Sequence, residues 1–188
     1  SLVAGDGQAL LLGASATTAS CVLRWTLRDN RVENLRNSFD IELASDAIAH
    51  PQTIDFPSAN GSTSHGFFYA PTSSSYQALA AERPPLIVIG HGGPTGATTA
   101  AFDLGVQFWT SRGFAVLDVN YRGSTGYGRK YRALLDGAWG IADVEDCVNG
   151  ARHLAQAGLV DASRMAIRGR SAGGYTVLAA LAFHDVFT

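Results

Sequence analysis

Cysteine, methionine and charge are all scarce in this sequence. Two cysteines and one methionine occur among 188 residues, and charged side chains make up 16%. Cys21 and Cys147 lie far apart, so they form neither a metal-ligand spacing nor a disulfide framework. No metal and no cofactor is expected. The net charge of −2 supplies no basic field for nucleic acid or an anionic membrane surface. The longest apolar runs, "PPLIVIG" and "YTVLAALAF", are too short to span a bilayer. The first residues, "SLVAGDGQALLLG", have no basic stretch and carry Asp6 early, which makes a poor signal peptide. Two thiols are compatible with a reducing compartment. The cytoplasm is therefore the expected location, with secretion as the alternative.

The apolar fraction of 46% is ordinary for a globular protein, and the length fits one domain or one and a part. There is no internal repeat and no low-complexity tract. The only methionine is Met165 and the sequence starts at Ser1. Either an initiator was removed or these residues belong to something longer.

The first forty residues read as short strands in an antiparallel meander: Ala9–Ser15, Cys21–Asp29 and Val32–Ser38. "GDG" at Gly5–Gly7 and Asp29-Asn30-Arg31 supply turns. From Asp40 the texture shifts. Strands at Thr53–Phe56 and Ser64–Tyr69 flank an Asn60-Gly61 turn, and Thr72–Pro85 is a polar connection with room for a short helix. After Pro85, strand and helix alternate. "LIVIG" (Leu86–Gly90) is uniformly apolar, as suits a strand covered on both faces. A helix is expected over Ala101–Gly113, a strand over Phe114–Tyr121, a loop over Tyr121–Tyr131 and a helix over Ala142–Gly158. A strand over Ser163–Gly169 and a helix running to about Phe183 complete the pattern. This alternation predicts a parallel sheet with helices on both faces. The expected division is 1–39, a β meander, and 40–188, the α/β part.

Two motifs carry chemistry. Gly169-Arg170-Ser171-Ala172-Gly173 fits G-x-S-x-G between an apolar strand and an apolar helix. Such a turn strains the serine backbone and lifts its hydroxyl above the sheet edge, with Gly169 and Gly173 leaving room for neighbouring backbone. The bare pattern is common, and its strand–turn–helix setting gives it weight. The second motif, His91-Gly92-Gly93-Pro94, directly follows the strand ending at Gly90. Acyl transfer needs two N–H donors for a tetrahedral oxyanion. Ala172 would supply one, and a small-residue loop after an earlier strand the other, which here would be Gly93. Losing one such donor costs roughly 3 kcal/mol of transition-state stabilisation.

A serine nucleophile also needs a base. His91 precedes the serine and sits on the glycine loop, so a loop-shaping role suits it better. His50, His65 and His153 read as ordinary solvated or hydrogen-bonded side chains. After Ser171 only His184 and Asp185 remain, and a helix running to His184 would hold its imidazole on the order of 20 Å away. A base must approach to about 3 Å. The triad Asp and His are thus not expected in this chain.

The segments "GHGGP" (Gly90–Pro94), "VNYRGSTGYGRKY" (Val119–Tyr131), "WGIADVEDC" (Trp139–Cys147) and "GRSAGGY" (Gly169–Tyr175) occur in that order. Together they resemble the prolyl oligopeptidase family of serine peptidases, especially its acylaminoacyl-peptidase and dipeptidyl-peptidase-like branches. The resemblance is good over roughly Thr53–Phe183. It implies the N-terminal half of an α/β-hydrolase domain, preceded by the last blade of a β-propeller. It implies Ser171 as nucleophile, Ala172 and Gly93 as oxyanion donors, and Asp143 and Asp146 as framework residues. Some relatives place a tyrosine hydroxyl where His91 stands. The triad Asp and His would come from a remaining hydrolase segment, in the same protein or a second chain. The implied substrates are short peptides or acylated or amidated amino acids. A carboxylesterase or lipase on the same fold is one alternative, and a non-catalytic fragment is another.

Overall fold

The computed structural model describes residues 2–41, 43–73, 75, 78–79 and 81–188. Nine strands and four α-helices follow one another among them. The first sheet contains β1 (Leu2–Gly5), β2 (Gln8–Gly13), β3 (Cys21–Thr26) and β4 (Arg31–Asn37), all antiparallel and in chain order. The "GDG" turn is real: Asp6 and Gly7 both adopt left-handed backbone, and they join β2 to a first strand that the sequence pattern does not reveal. The β3–β4 turn occupies residues 27–30, so β3 ends at Thr26, earlier than expected.

The second sheet holds β5 (Gln52–Pro57), β6 (Thr63–Tyr69), β7 (Leu86–Gly90), β8 (Ala115–Asn120) and β9 (Met165–Gly169) in the order β5-β6-β8-β7-β9. β7, β8 and β9 run parallel, and β5 and β6 extend the sheet antiparallel beyond β8. The sheet is therefore mixed. Alternating strands and helices account for its parallel half, and the Asn60 turn accounts for the hairpin. The polar connection before Pro85 includes Ser74, Tyr76, Gln77 and Ala80, so the short helix allowed there lies partly outside the described residues.

Helices cover both faces. α1 (Leu104–Thr110) packs Val106 and Trp109 against Val116 and Ile89 on one side. Its first residues are fixed by the Asp103 carboxylate, which accepts from Val106 N–H at 3.0 Å, a side-chain N-cap. α3 (Ala142–Gln156) and α4 (Ala172–Phe183) pack on the other side, around Leu86, Val88, Leu117 and Val119. These strand residues are fully buried, as the unbroken apolar runs predict. α2 (Gly128–Ala133) falls in the stretch expected to be loop. Tyr131 stabilises it from within: its hydroxyl donates to Asn120 O at 2.7 Å and meets Ser64 Oγ at 3.1 Å. No helix among the described residues is long and apolar enough to cross a membrane.

Candidate active site

β9 and α4 are joined by two residues, Arg170 and Ser171, and the second is strained. Ser171 has φ 56° and ψ −120°, a conformation that costs a non-glycine residue about 1–3 kcal/mol. Its side chain is exposed. The turn is sharp because α4 starts directly against the end of β7. A β-carbon on Gly173 would overlap the Gly90 carbonyl and come within 2.9 Å of His91 O, and one on Gly169 would overlap the Gly173 carbonyl. Glycine at both positions is thus a packing requirement. The elbow closes by Gly173 N–H donating to Arg170 O at 3.1 Å and Tyr175 N–H donating to Ser171 O at 3.2 Å.

The glycine loop after β7 lies beside this elbow. A β-carbon on Gly92 would be 3.7 Å from Ser171 Cβ and 3.1 Å from Arg170 O, so the loop passes within van der Waals reach of the serine. Gly93 turns the chain with φ 61°, and Gly96 N–H closes the turn on Gly93 O at 2.6 Å. Among the described residues, neither Ala172 N–H nor Gly93 N–H donates to an internal acceptor.

The His91 ring is engaged by Ser124 and Tyr121 and makes no hydrogen bond to Ser171 among the described residues. Its Nε2 hydrogen-bonds Ser124 Oγ at 2.7 Å, and its ring stacks on Tyr121 at 4.1 Å. The Tyr121 hydroxyl donates to His91 O at 3.1 Å. Burial holds the imidazole below the ordinary histidine range, against the raising effect of the Gly92 and Gly93 backbone. His91 is thus a neutral brace for the loop. His184 caps the far end of α4, and the chain then turns back so that Thr188 N–H donates to Met165 O at 2.9 Å. That bond lies at the opposite end of β9 from Ser171. His65 pairs with Asp55 at 2.6 Å, and His153 stacks near Phe56 at 6.1 Å. Among the described residues no imidazole or carboxylate hydrogen-bonds Ser171.

The two framework acids hold the site from behind. Asp143 accepts from Gly140 N–H at 2.6 Å and from the Thr176 hydroxyl of α4. Asp146 accepts from Arg122 N–H at 2.6 Å, from Arg122 Nε at 3.0 Å and from the Ser58 hydroxyl. Arg122 also donates to Glu145 at 2.7 Å and to Ala142 O at 3.2 Å. Burial pushes the Asp146 carboxyl up in spite of Arg122, the expected behaviour of an ion pair stripped of water. The sequence motif marked Asp143 and Asp146, but their partners Thr176 and Ser58 come from distant segments that no local pattern names.

Residues 100–188 match the prolyl oligopeptidase family. Acylamino-acid-releasing enzyme 2 of Oryza sativa is 38% identical over 91 residues, 48% of this chain and 12% of that protein. The match to the prolyl oligopeptidase family covers just under half of the chain. A puromycin-hydrolyzing peptidase of Mycobacterium tuberculosis superposes with a TM-score of 0.97 at 39% identity, covering 100% of this chain and 28% of that one. A puromycin hydrolase gives 0.92 at 40% identity, covering 99% and 28%. The second sheet with its helices is the N-terminal part of the family's α/β-hydrolase fold, and the first sheet is a propeller-like meander before it. The chain therefore spans little more than a quarter of the solved relatives and about an eighth of the curated one.

Proposed function

We propose that this chain supplies the nucleophile and oxyanion elements of a serine exo- or oligopeptidase acting on short peptides or on acylated or amidated amino acids. The observation that carries this reading is the left-handed Ser171 at the β9–α4 turn with the Gly92–Gly93 loop packed beside it. Ser171 Oγ attacks the substrate carbonyl carbon and its proton passes to a base. The negative oxygen settles on the N–H groups of Ala172 and Gly93, the amine leaves, and water hydrolyses the acyl-enzyme. The base and its orienting acid belong to a hydrolase segment outside the described residues, in the same protein or a second chain. Residues 1–39 are assigned to a propeller-like domain and residues 40–188 to the catalytic domain. The proposed compartment is the cytoplasm.

The test is a panel of peptide anilides, acylated amino-acid anilides and simple esters on the full-length protein and its Ser171→Ala variant. Anilide hydrolysis that disappears in Ser171→Ala is the expected result. Ester turnover without any amide turnover would make the protein an esterase of the same fold. Anilide hydrolysis that persists in Ser171→Ala would remove Ser171 from the reaction.

A further inference from the structure

The loop that leaves β7 at Gly90 carries Gly93 and then runs to Thr98, and it is held at two places. Near its tip, Thr125 donates its N–H to Gly96 O at 2.8 Å and its hydroxyl to Thr95 O. At Thr98 the Asn120 side chain grips the backbone in both directions. Thr98 N–H donates to Asn120 Oδ1 at 2.8 Å, and Asn120 Nδ2 donates to Thr98 O at 3.2 Å. The Thr98 hydroxyl in turn donates to Asp118 Oδ2. Asp118 and Asn120 share one face of β8 because side chains alternate along a strand.

Asp118 is an expensive residue at this point. Its Oδ1 is buried and has no hydrogen-bond partner, alone in this among the buried side-chain atoms of the described residues. No cation forms an ion pair with it among those residues. In the sheet it lies between Phe67 of β6 and Ile89 of β7. The ionisable groups that interact with it are Asp103, at the start of α1, the Tyr69 phenol of β6 and the buried Cys147 thiol of α3. Burial first, and Asp103 second, push its carboxyl up to about 7, against the lowering effect of the Thr98 bond. A valine at this register would suit a central strand without the cost of a dry, half-satisfied carboxylate. What the carboxyl group provides is an acceptor for the Thr98 hydroxyl, and with it a tie to the loop.

We propose that Asp118, acting through Thr98, is a positioning residue for the oxyanion loop and fixes the segment that sets the direction of Gly93 N–H. This rests on Gly93 being an oxyanion donor, as in the function proposed above. An oxyanion donor must meet the oxygen where it moves in the transition state, not where it sits in the bound substrate. Loosening the loop therefore lowers kcat and leaves KM nearly unchanged. Displacements of about 1 Å in a catalytic group cost up to about 100-fold.

The experiment uses the full-length protein with Thr98→Val, Thr98→Ser and Asp118→Asn, and a peptide p-nitroanilide as substrate. Active sites are counted by titration with a fluorophosphonate, so that turnover is expressed per competent site. Thr98→Val and Asp118→Asn are expected to lose about 10- to 100-fold in kcat with KM within about 2-fold. Both should weaken a peptide trifluoromethyl ketone, which forms a tetrahedral adduct, by a similar factor, and Thr98→Ser should restore turnover. Wild-type kcat and inhibitor affinity in Thr98→Val would overturn the proposal. So would losses that vanish once turnover is expressed per titrated site. Turnover by the parent protein that survives Ser171→Ala would instead overturn the reading of the site itself, so the two failures are distinguishable.

Discussion

The two sheets of this chain are built from similar strand-forming residues and end in opposite states of burial. In the five-stranded sheet Leu86, Val88, Val116, Leu117 and Val119 are fully buried. In the four-stranded meander Leu2, Val3, Leu12 and Val32 are all more than half exposed, and only Ala9 and Cys21 are buried. The difference lies in the layers, since α1, α3 and α4 cover one sheet and, among the described residues, no α-helix packs on the other. Strand propensity and turn residues are enough to make a ladder, but a sheet gains hydrophobic stabilisation only from what packs on its faces. The candidate active site is built on the covered sheet, where backbone positions are fixed closely enough to hold a strained serine.

The largest contrast between the sheets should appear at glycine. Gly173→Ala puts a β-carbon into the Gly90 carbonyl, whereas Gly5→Ala in the meander meets nothing within 4 Å. Gly173→Ala is expected to cost more than about 4 kcal/mol, or to prevent soluble folding, and Gly5→Ala less than about 0.5 kcal/mol. Denaturant midpoints measure both, and equal effects would break the contrast.

Ion pairs offer the next contrast. Arg122 is 6% exposed and its partner Asp146 is 0% exposed, whereas in the meander Arg24 and Glu33 are 39% and 25% exposed. Arg122→Met strands a buried carboxylate and should cost about 3–5 kcal/mol. Arg24→Ala should cost about 1 kcal/mol or less, and less still at high salt. A salt titration of both melting temperatures separates the two cases.

These contrasts also show what was legible beforehand. β7, β8, α3 and α4 could be read from apolar runs and glycine stops, because burial on both faces leaves a continuous signature. The elbow was readable because the steric demand of the turn selects glycine at Gly169 and Gly173. β1 was not, since its four residues are all exposed and carry no alternation. α2 was hidden by Gly126 and Gly128, and the buried Tyr131 hydroxyl that secures it bonds residues far away in sequence. The antiparallel pairing of β6 with β8 and the grip of Asn120 on Thr98 are likewise non-local. Sequence periodicity describes one element at a time and is silent on which elements meet.

A further expected effect is a pH dependence that originates in the covered sheet. Asp118 has its carboxyl raised from 3.8 to about 7. The folded state therefore binds a proton that the unfolded chain has released, and this contribution to stability is full below about pH 4 and lost as pH rises through about 7. Asp118→Asn removes that term. The melting temperature of the parent protein should fall relative to the variant between pH 5 and pH 8, and parallel curves would contradict the burial assigned to this carboxylate.

The central proposal is that Ser171 is a nucleophile whose turn and oxyanion donors lie in this chain and whose base comes from another segment. The direct measurement is peptide mapping after brief exposure to a fluorophosphonate, on the full-length protein and on the isolated 188-residue chain. The account predicts a rapid adduct on Ser171 in the full-length protein and almost none in the isolated chain, because loss of a triad partner costs about 10⁴–10⁶ in turnover. An adduct on a different serine, or equally fast labelling of the isolated chain, would contradict it.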